Sequence, residues 1–528
     1  MKSRSCNIWK KRITQSVIIC AVLLAIITAR CSSLSTGVPK TGCYKREGLD
    51  TRIEAVIDEF RDSVPEMMKK GKIPGVAIAL VDNQGILWTE GFGYTDRKRN
   101  IPVTPDTLFA ICSMSKTFTA TAVMLAVRDR LVDLDEPITT YLPDFRVYSR
   151  FEEHPEEKIT LRHLLSHTAG LPGEAPLGNN FEPSATVSFE DHVKSIFGTW
   201  LVCAVGKGFV YCNTGPDLAA YILQVVSGKP FEQYMKERLF APLGMSNSAV
   251  GKEALKSTNR AVGHQIGFSE TPAVPPPILG AGGVFTTAKD LATFVQFHLN
   301  RGNHEGKTIL EESLFDIMYE PVTESKDNRR NGLCIVLDNR NEGLMLHHGG
   351  GGFGFSSYML WFPEYGMGTV VVTNRVFHPF TSKLATTVLD RLIKDRIISK
   401  RFTLPEPSTE DLPGVWKRTS DHNPSPYRPQ WRKYCGTYRF RFSGYKLKWW
   451  ARLALALDLE QYTPRIKVYQ KDGYLCLTES RFLGNFWDRQ VAQKLEEVRP
   501  GLFLTASGGA LDFRGEIPAW RNYRLKKR

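Results

Sequence analysis

Apolar positions along the chain fall into helical and alternating patterns, and these predict the order of its elements. Leu49, Ile53, Val56, Ile57, Phe60 and Val64 recur at helical spacing and predict a first amphipathic helix. GVAIALVDNQGILWTEGFG then reads as two strands joined by a tight DNQG turn. Helical patterns follow in the run from Leu108 through Ala126, in PDLAAYILQVVSG, in FEQYMKERLF and in DLATFVQFHL, separated by Gly/Pro-rich loops. Strand patterns return at FSSYMLWF (355–362) and GTVVVTN (368–374), and SKLATTVLDRLIKDRII closes the series with another amphipathic helix. Strands at both ends with helices inserted between them predict an α+β fold over residues 49–398. Its core is one antiparallel sheet, assembled from both ends and flanked by helices.

Beyond this unit the patterning changes. LPEPSTEDLPGVW and HNPSPYRPQ are proline-rich and polar, which marks 399–430 as a linker. YCGTYRFRF, RIKVYQKDGYLCLTE, GLFLTA and ALDFRG are short alternating or aromatic runs with DG and GG turns. They predict an all-β domain at 431–528, a lipocalin-like barrel. KLKWWARLALALDL lies among them, and its alternating leucines favour a strand over a basic interfacial helix.

At the other end, MKSRSCNIWKKR is basic and VIICAVLLAIITA (Val17 to Ala29) is uninterrupted apolar sequence. Residues 1–30 therefore predict a secretory signal, with an uncleaved anchor as the alternative. Arg30 stands where a lipoprotein acceptor at Cys31 needs a small residue, so lipidation is not expected. Either way the body of the protein is expected outside the cytoplasm.

With 528 residues, 42% hydrophobic and 23% charged, the chain has ample material for several cores. The formal charge of +14 is uneven: beyond residue 396, Lys and Arg outnumber Asp and Glu roughly two to one. Such a segment suits an anionic surface, and nucleic acid is not the expected partner. Ten cysteines are too sparse for a disulfide scaffold, and no CxxC pair suggests a zinc ribbon. His163 and His167 have i, i+4 spacing without the Glu of a metalloprotease helix, so no metal or other cofactor is expected.

The candidate chemistry begins at FAICSMSKTFTA, which places Ser113 and Lys116 three residues apart. On a helix these positions share a face, with Cβ atoms about 5–6 Å apart, so the amine can reach the hydroxyl. Taken alone, the tetrad reads equally as a helix whose lysine snorkels to water. Four further stretches change that balance. YCNTG carries Tyr211 and Asn213 just before a helix, and HHGGGGFGFSS carries His348 and a glycine run just before a strand. LRHLLSHTAGLPG and ILGAGGVFTTAKDLATF complete the set.

In this order the motifs resemble the class C β-lactamase-like family of serine hydrolases, over roughly residues 50–395. That family also includes penicillin-binding DD-peptidases, D-aminopeptidases, esterases and a few acyltransferases. The resemblance implies Ser113 as nucleophile, with Lys116 and Tyr211 exchanging its proton, because a serine hydroxyl attacks poorly until a base relieves it of that proton. Which of the two is the base stays open. Asn213 is implied to hold Lys116 and the substrate's amide. His348 and Gly350 line the substrate cleft, and the backbone N–H groups of Ser113 and Gly351 are implied to receive the oxyanion. Residues 349–354 also match G-x-G-x-x-G, but they precede a strand, so a dinucleotide site is rejected. The HTAGLP stretch and the AGG at 281–283 are expected to be structural walls.

Two departures from the β-lactamase members matter. His348-Gly349-Gly350 replaces the usual K-T-G, exchanging a fixed cation for a side chain mostly neutral at pH 7. A demand for a substrate carboxylate is weakened, which favours peptidase or esterase work on a small-molecule or peptide substrate. Cys112 and Cys212 flank the motifs and are expected to be buried packing thiols, though export would permit a disulfide. Two rival functions stand beside the hydrolase: an acyltransferase using the same acyl-enzyme, and a non-catalytic protein that binds a wall polymer or polyanion.

Overall fold

The computed structural model describes residues 40–402 except 97, 179–185, 266–269, 272–276, 325–328 and 377–378. Beyond these it describes residue 412, residues 428–440 and the strands of the C-terminal region. Residues 1–30, predicted as a secretory signal or anchor, most of the predicted proline-rich linker and KLKWWARLALALDL lie outside the described residues. Nine strands form the central path: β1 (Lys40–Lys45), β2 (Gly75–Asp82), β3 (Gly85–Asp96), β4 (Thr323–Glu324), β5 (Arg330–Asn331), β6 (Val336–Arg340), β7 (Gly343–Gly352), β8 (Phe355–Phe362) and β9 (Met367–Thr373). Their order is β1-β3-β2-β9-β8-β7-β6-β5-β4, and Ile101–Pro102 adds a short tenth strand on β3.

The β2–β3 hairpin turns where the sequence predicts. Asp82 Oδ1 accepts from the backbone N–H of Gln84 and Gly85, and Gly85 takes the positive φ of 134° that the turn needs. β9 pairs antiparallel with β2, Val371 opposite Ile78, so the two ends of the unit meet in the middle of the sheet. The central strands are buried on both faces. α1 (Thr51–Gly71) is capped by Asp50, which accepts from Arg52 N, and buries Val56, Ile57, Phe60, Val64 and Met68. It continues through Pro65, about two turns beyond the apolar pattern that predicts it.

Four further helices matter for the site: α2 (Ser115–Arg128), α3 (Thr214–Ser227), α4 (Ala288–Leu299) and α5 (Phe380–Lys394). α1 and α5 pack together and α5 covers β8 and β9, while α4 packs on β2 and β9. α2 is buried along nearly its whole length, so it forms the floor between the sheet and the inserted helices.

The C-terminal region is a closed barrel of eight strands: Gly436–Phe440, Arg465–Lys471, Tyr474–Glu479, Gln493–Arg499, Leu502–Thr505, Ala510–Asp512, Ala519–Trp520 and Tyr523–Lys527. Each pairs with the next, and the last closes on the first, Tyr438 opposite Lys527. Closure removes the exposed edges that a lone sheet would carry. Its core is separate, built from Trp431, Tyr438, Ile466, Val468, Leu475, Leu477, Leu495, Phe503 and Leu511. Ile466 and Val468 point inward while Lys467 between them is exposed, the period of two expected of a half-buried strand.

Candidate active site

Ser113 sits in a 3-10 turn, Cys112–Met114, that runs directly into α2. The apolar pattern predicts helix from Leu108, but the regular helix begins at Ser115. Two contacts delay it. Phe109–Ala110 is held as a short strand against Val284–Thr286, and Cys112 takes a left-handed φ of 51°. A non-glycine residue in that region costs about 1–3 kcal/mol and persists only where its surroundings impose it. Here they do. The Cys112 thiol donates to the Gly352 carbonyl at 3.3 Å, Ser357 Oγ donates to the Ile111 carbonyl at 2.7 Å, and Ser115 Oγ accepts from Val284 N at 3.0 Å. The outcome is a half-buried Ser113 in a stretch, 111–126, whose other residues are all buried.

Lys116 is fully buried, and its ammonium has three partners: Ser113 Oγ at 3.2 Å, Asn213 Oδ1 at 2.6 Å and the Ala281 carbonyl at 3.0 Å. A tetrahedral nitrogen with two directions taken by fixed acceptors has its remaining direction set. That direction faces the serine. In the amine form the lone pair points at the Ser113 hydroxyl, which is the geometry of a base.

Each fixed acceptor is itself held. Asn213 immediately precedes α3, and its Nδ2 donates to Glu174 Oε1 at 2.7 Å. Ala281 belongs to the single turn Leu279–Gly282, and its N–H donates to Asp217 Oδ1 at 2.9 Å. Asp217 Oδ2 lies 3.1 Å from His192 Nε2, and the other ring nitrogen lies 2.6 Å from the Leu177 carbonyl. Both partners of His192 are acceptors, so both ring nitrogens carry protons. Burial pushes this imidazolium toward neutrality, and the hydrogen bond and charge of Asp217 outweigh it, leaving the pKa raised.

The facing wall is β7. His348, Gly350 and Gly351 lie within this strand, not just before a strand as the pattern predicts. Glycines are poor strand formers, but seven registered pairs with β8, from Leu346–Trp361 to Gly352–Phe355, carry the run. A Cβ on Gly350 would stand 2.0 Å from the Ile111 carbonyl oxygen and 2.4 Å from Ser357 Oγ. This glycine lets the strand approach the Ser113 turn itself. Gly351, one residue on, is exposed toward solvent. His348 is buried; desolvation first and the Lys116 charge second push its pKa down to about 4. Its ring is neutral at pH 7, and Nδ1 donates to the Gly349 carbonyl at 2.7 Å.

Tyr211 is 46% exposed, with the Lys116 nitrogen 5.0 Å from its ring centroid. Its underside rests on His167, ring centroids 4.6 Å apart. No hydrogen bond joins its hydroxyl to Ser113 or Lys116 among the described residues.

Ser113, Lys116 and Asn213 are thus in direct contact, Tyr211 meets Lys116 through its ring, and the glycine strand touches the Ser113 turn. Four contributors escape the sequence reading: Glu174, the Ala281 carbonyl, and the Asp217–His192 pair. The AGG stretch is more than a wall, since its first carbonyl binds Lys116. A buried acid in HTAGLPGE and an aspartate in the first turn of α3 are visible signals, but their partners are not. Cys112, Cys203, Cys212 and Cys334 are free buried thiols, and burial pushes Cys112 and Cys203 up to about 12. Among the described residues no group of three or more His, Cys, Asp or Glu could hold a metal ion.

Known proteins resemble this chain in sequence and in fold. The Beta-lactamase family model matches residues 60–392. "Protein flp" of Staphylococcus aureus (strain MW2) is 25% identical over 341 residues, 64% of this chain and 66% of that protein. The match therefore spans just under two thirds of that relative's length. "Putative penicillin-binding protein PbpX" of Bacillus subtilis (strain 168) is 30% identical over 267 residues, 50% of this chain and 62% of that protein. Among solved structures, the octameric penicillin-binding protein homologue from Pyrococcus abyssi aligns with a TM-score of 0.57 at 22% identity. That alignment covers 89% of this chain and 99% of the other, and it shows the shared fold.

Proposed function

The chain belongs to the beta-lactamase family of serine hydrolases, and from that premise we propose that it cleaves amide or ester bonds through an acyl-enzyme on Ser113. The observation that carries this reading is the Lys116 nitrogen, buried and aimed at Ser113 Oγ by two fixed acceptors. In the first step Lys116 takes the hydroxyl proton as Oγ bonds to the substrate carbonyl carbon. The carbonyl π electrons move to oxygen, where backbone N–H groups of Ser113 and Gly351 receive them. Collapse of the intermediate expels the amine or alcohol, which takes a proton through Tyr211, and leaves the Ser113 ester. Water then repeats the sequence and releases the acid. Catalytic hydrogen bonds are often long before substrate arrives, and the nearness of the exposed Tyr211 to Lys116 supports this role.

The substrate class follows from charge. His348 supplies no cation at neutral pH, and Glu174 adds a buried carboxylate beside Asn213. A substrate that presents a neutral amide or ester is therefore preferred over one that must anchor a carboxylate. The basic flank and apolar run of residues 1–29 support export, and the positive C-terminal region supports contact with an anionic surface.

The test uses a fluorescent penicillin and a fluorophosphonate in parallel, with peptide mass mapping of the adduct. The wild type is expected to carry the label on Ser113, and Ser113→Ala is expected to lose it, with turnover of short acyl esters down by several orders of magnitude. A label on another serine, or undiminished turnover by Ser113→Ala, refutes the assignment.

A further inference from the structure

Resting on that reading, we propose that Glu174 is a positioning residue that fixes which end of the Asn213 amide faces Lys116. An amide side chain has an acceptor at one end and two donors at the other, and the ends are nearly isosteric. Turned the productive way, Oδ1 receives a hydrogen from Lys116 and directs the third direction of that nitrogen to Ser113. Turned the other way, two N–H groups would confront an ammonium, and Lys116 would lose one of the two contacts that aim it.

Glu174 discriminates between these states because an ionised carboxylate accepts and cannot donate. It is 6% exposed, and its Oε1 stands 2.7 Å from Asn213 Nδ2. The carboxylate admits the donor end and repels the oxygen end, so the flipped amide is penalised at both of its contacts.

The segment that carries Glu174 is built to hold that geometry. Three successive residues grip the start of α3. The Pro172 carbonyl accepts from Thr214 Oγ1 at 2.7 Å, the Gly173 carbonyl accepts from Asn213 N at 2.8 Å, and Glu174 takes the Asn213 side chain. Gly170, at the head of the segment, has φ 70°, and a Cβ there would lie 2.3 Å from the Cys203 carbonyl oxygen. The strap therefore cannot slide, and the carboxylate is delivered to a defined place. No atom of Glu174 needs to touch substrate for this role.

The experiment measures the rate constant of Ser113 acylation by a fluorogenic acyl ester without a carboxylate in Glu174→Ala, Glu174→Gln, Asn213→Ala and the double variant Glu174→Ala/Asn213→Ala. Misplacing a reacting group by about 1 Å costs up to about 10²-fold, so Glu174→Ala is expected to slow acylation about 10–100-fold. The probe concentration for half-maximal rate should change little. Glu174→Gln offers the amide a donor as readily as an acceptor, so it should fall between wild type and Glu174→Ala, and it carries the test if the alanine variant fails to fold. The decisive comparison is the cycle: acting only through Asn213, Glu174 should matter no further once Asn213 is gone, so the double variant matches Asn213→Ala. Rates that multiply, or wild-type acylation in both Glu174 variants, overturn the inference. A wild type that takes no label at Ser113 overturns the underlying hydrolase reading as well, which separates the two failures.

Discussion

Gly350→Ala perturbs one contact that the structure specifies closely. The added methyl would meet the Ile111 carbonyl oxygen at 2.0 Å and Ser357 Oγ at 2.4 Å. Ser357 can rotate away, at the loss of its 2.7 Å bond to Ile111 and about 1 kcal/mol. The Ile111 carbonyl cannot rotate, because it belongs to the backbone that leads into the nucleophile turn. A C···O approach is ordinarily about 3.3 Å or more, so β7 and the turn must separate by more than about 1 Å. That displacement moves Gly351 away from Ser113, and misplacement of this size costs about 10²-fold in rate. Overpacking adds about 1–3 kcal/mol of instability, a melting point lower by several degrees in a unit of this size. Gly349→Ala is the control: its Cβ would crowd the Tyr358 ring at 3.1 Å, where a side chain can give way, and would meet the Ser357 carbonyl oxygen at an ordinary 3.8 Å. Thermal melting and acylation by fluorescent penicillin read both effects. If Gly350→Ala melts and acylates like wild type, the strand does not need this close approach and the reasoning fails.

Two further outcomes follow from the same geometry. Tyr211→Phe keeps the ring beside Lys116 and removes the phenol, so turnover of acyl esters should fall about 10²–10⁴-fold; a change within threefold would reduce Tyr211 to a ring contact. His192 has a raised pKa, so its contribution to stability is complete below the unfolded value of about 6.5 and is lost as pH rises through the folded value. Urea unfolding across pH 6–9 should show this alkaline loss in wild type and not in His192→Gln. Identical profiles would mean that His192 is not an imidazolium. On the acid side the sign reverses: burial holds His298 and His347 down to about 3 and His348 to about 4, so they stay neutral while the unfolded chain protonates, and stability falls below about pH 6.5.

How much of this was legible in the sequence depends on how far apart the interacting groups lie. Ser113 and Lys116 are three residues apart, and their contact follows from local geometry alone. The hairpin at Asp82–Gly85 and the alternating strands of the barrel are equally local. The apolar pattern sets the start of α2 too early because the residues that delay it, Val284–Thr286 and Ser357, lie 169 or more positions away. The sequence pattern places the glycine run just before a strand, because no strand propensity favours glycine itself. Pairing with β8 supplies what the residues themselves lack.

Lys116 contacts Asn213 across 97 positions and Ala281 across 165, and the second of these is a carbonyl that every residue possesses. No side-chain motif can announce such a contact. Pairing rules still narrow the search, because a buried ammonium requires acceptors and a buried carboxylate requires donors. Glu174, Asp217 and His192 satisfy those rules one step removed from the serine: Glu174 takes the far end of the Asn213 amide, and Asp217 takes the N–H of the residue whose carbonyl holds Lys116. The aim of the Lys116 nitrogen is thus set by two carboxylates that touch neither it nor Ser113. Replacing Lys116 with any other cation would leave both carboxylates in place without restoring that aim, since the length and tetrahedral head of the side chain are what convert their positions into a nitrogen directed at Ser113.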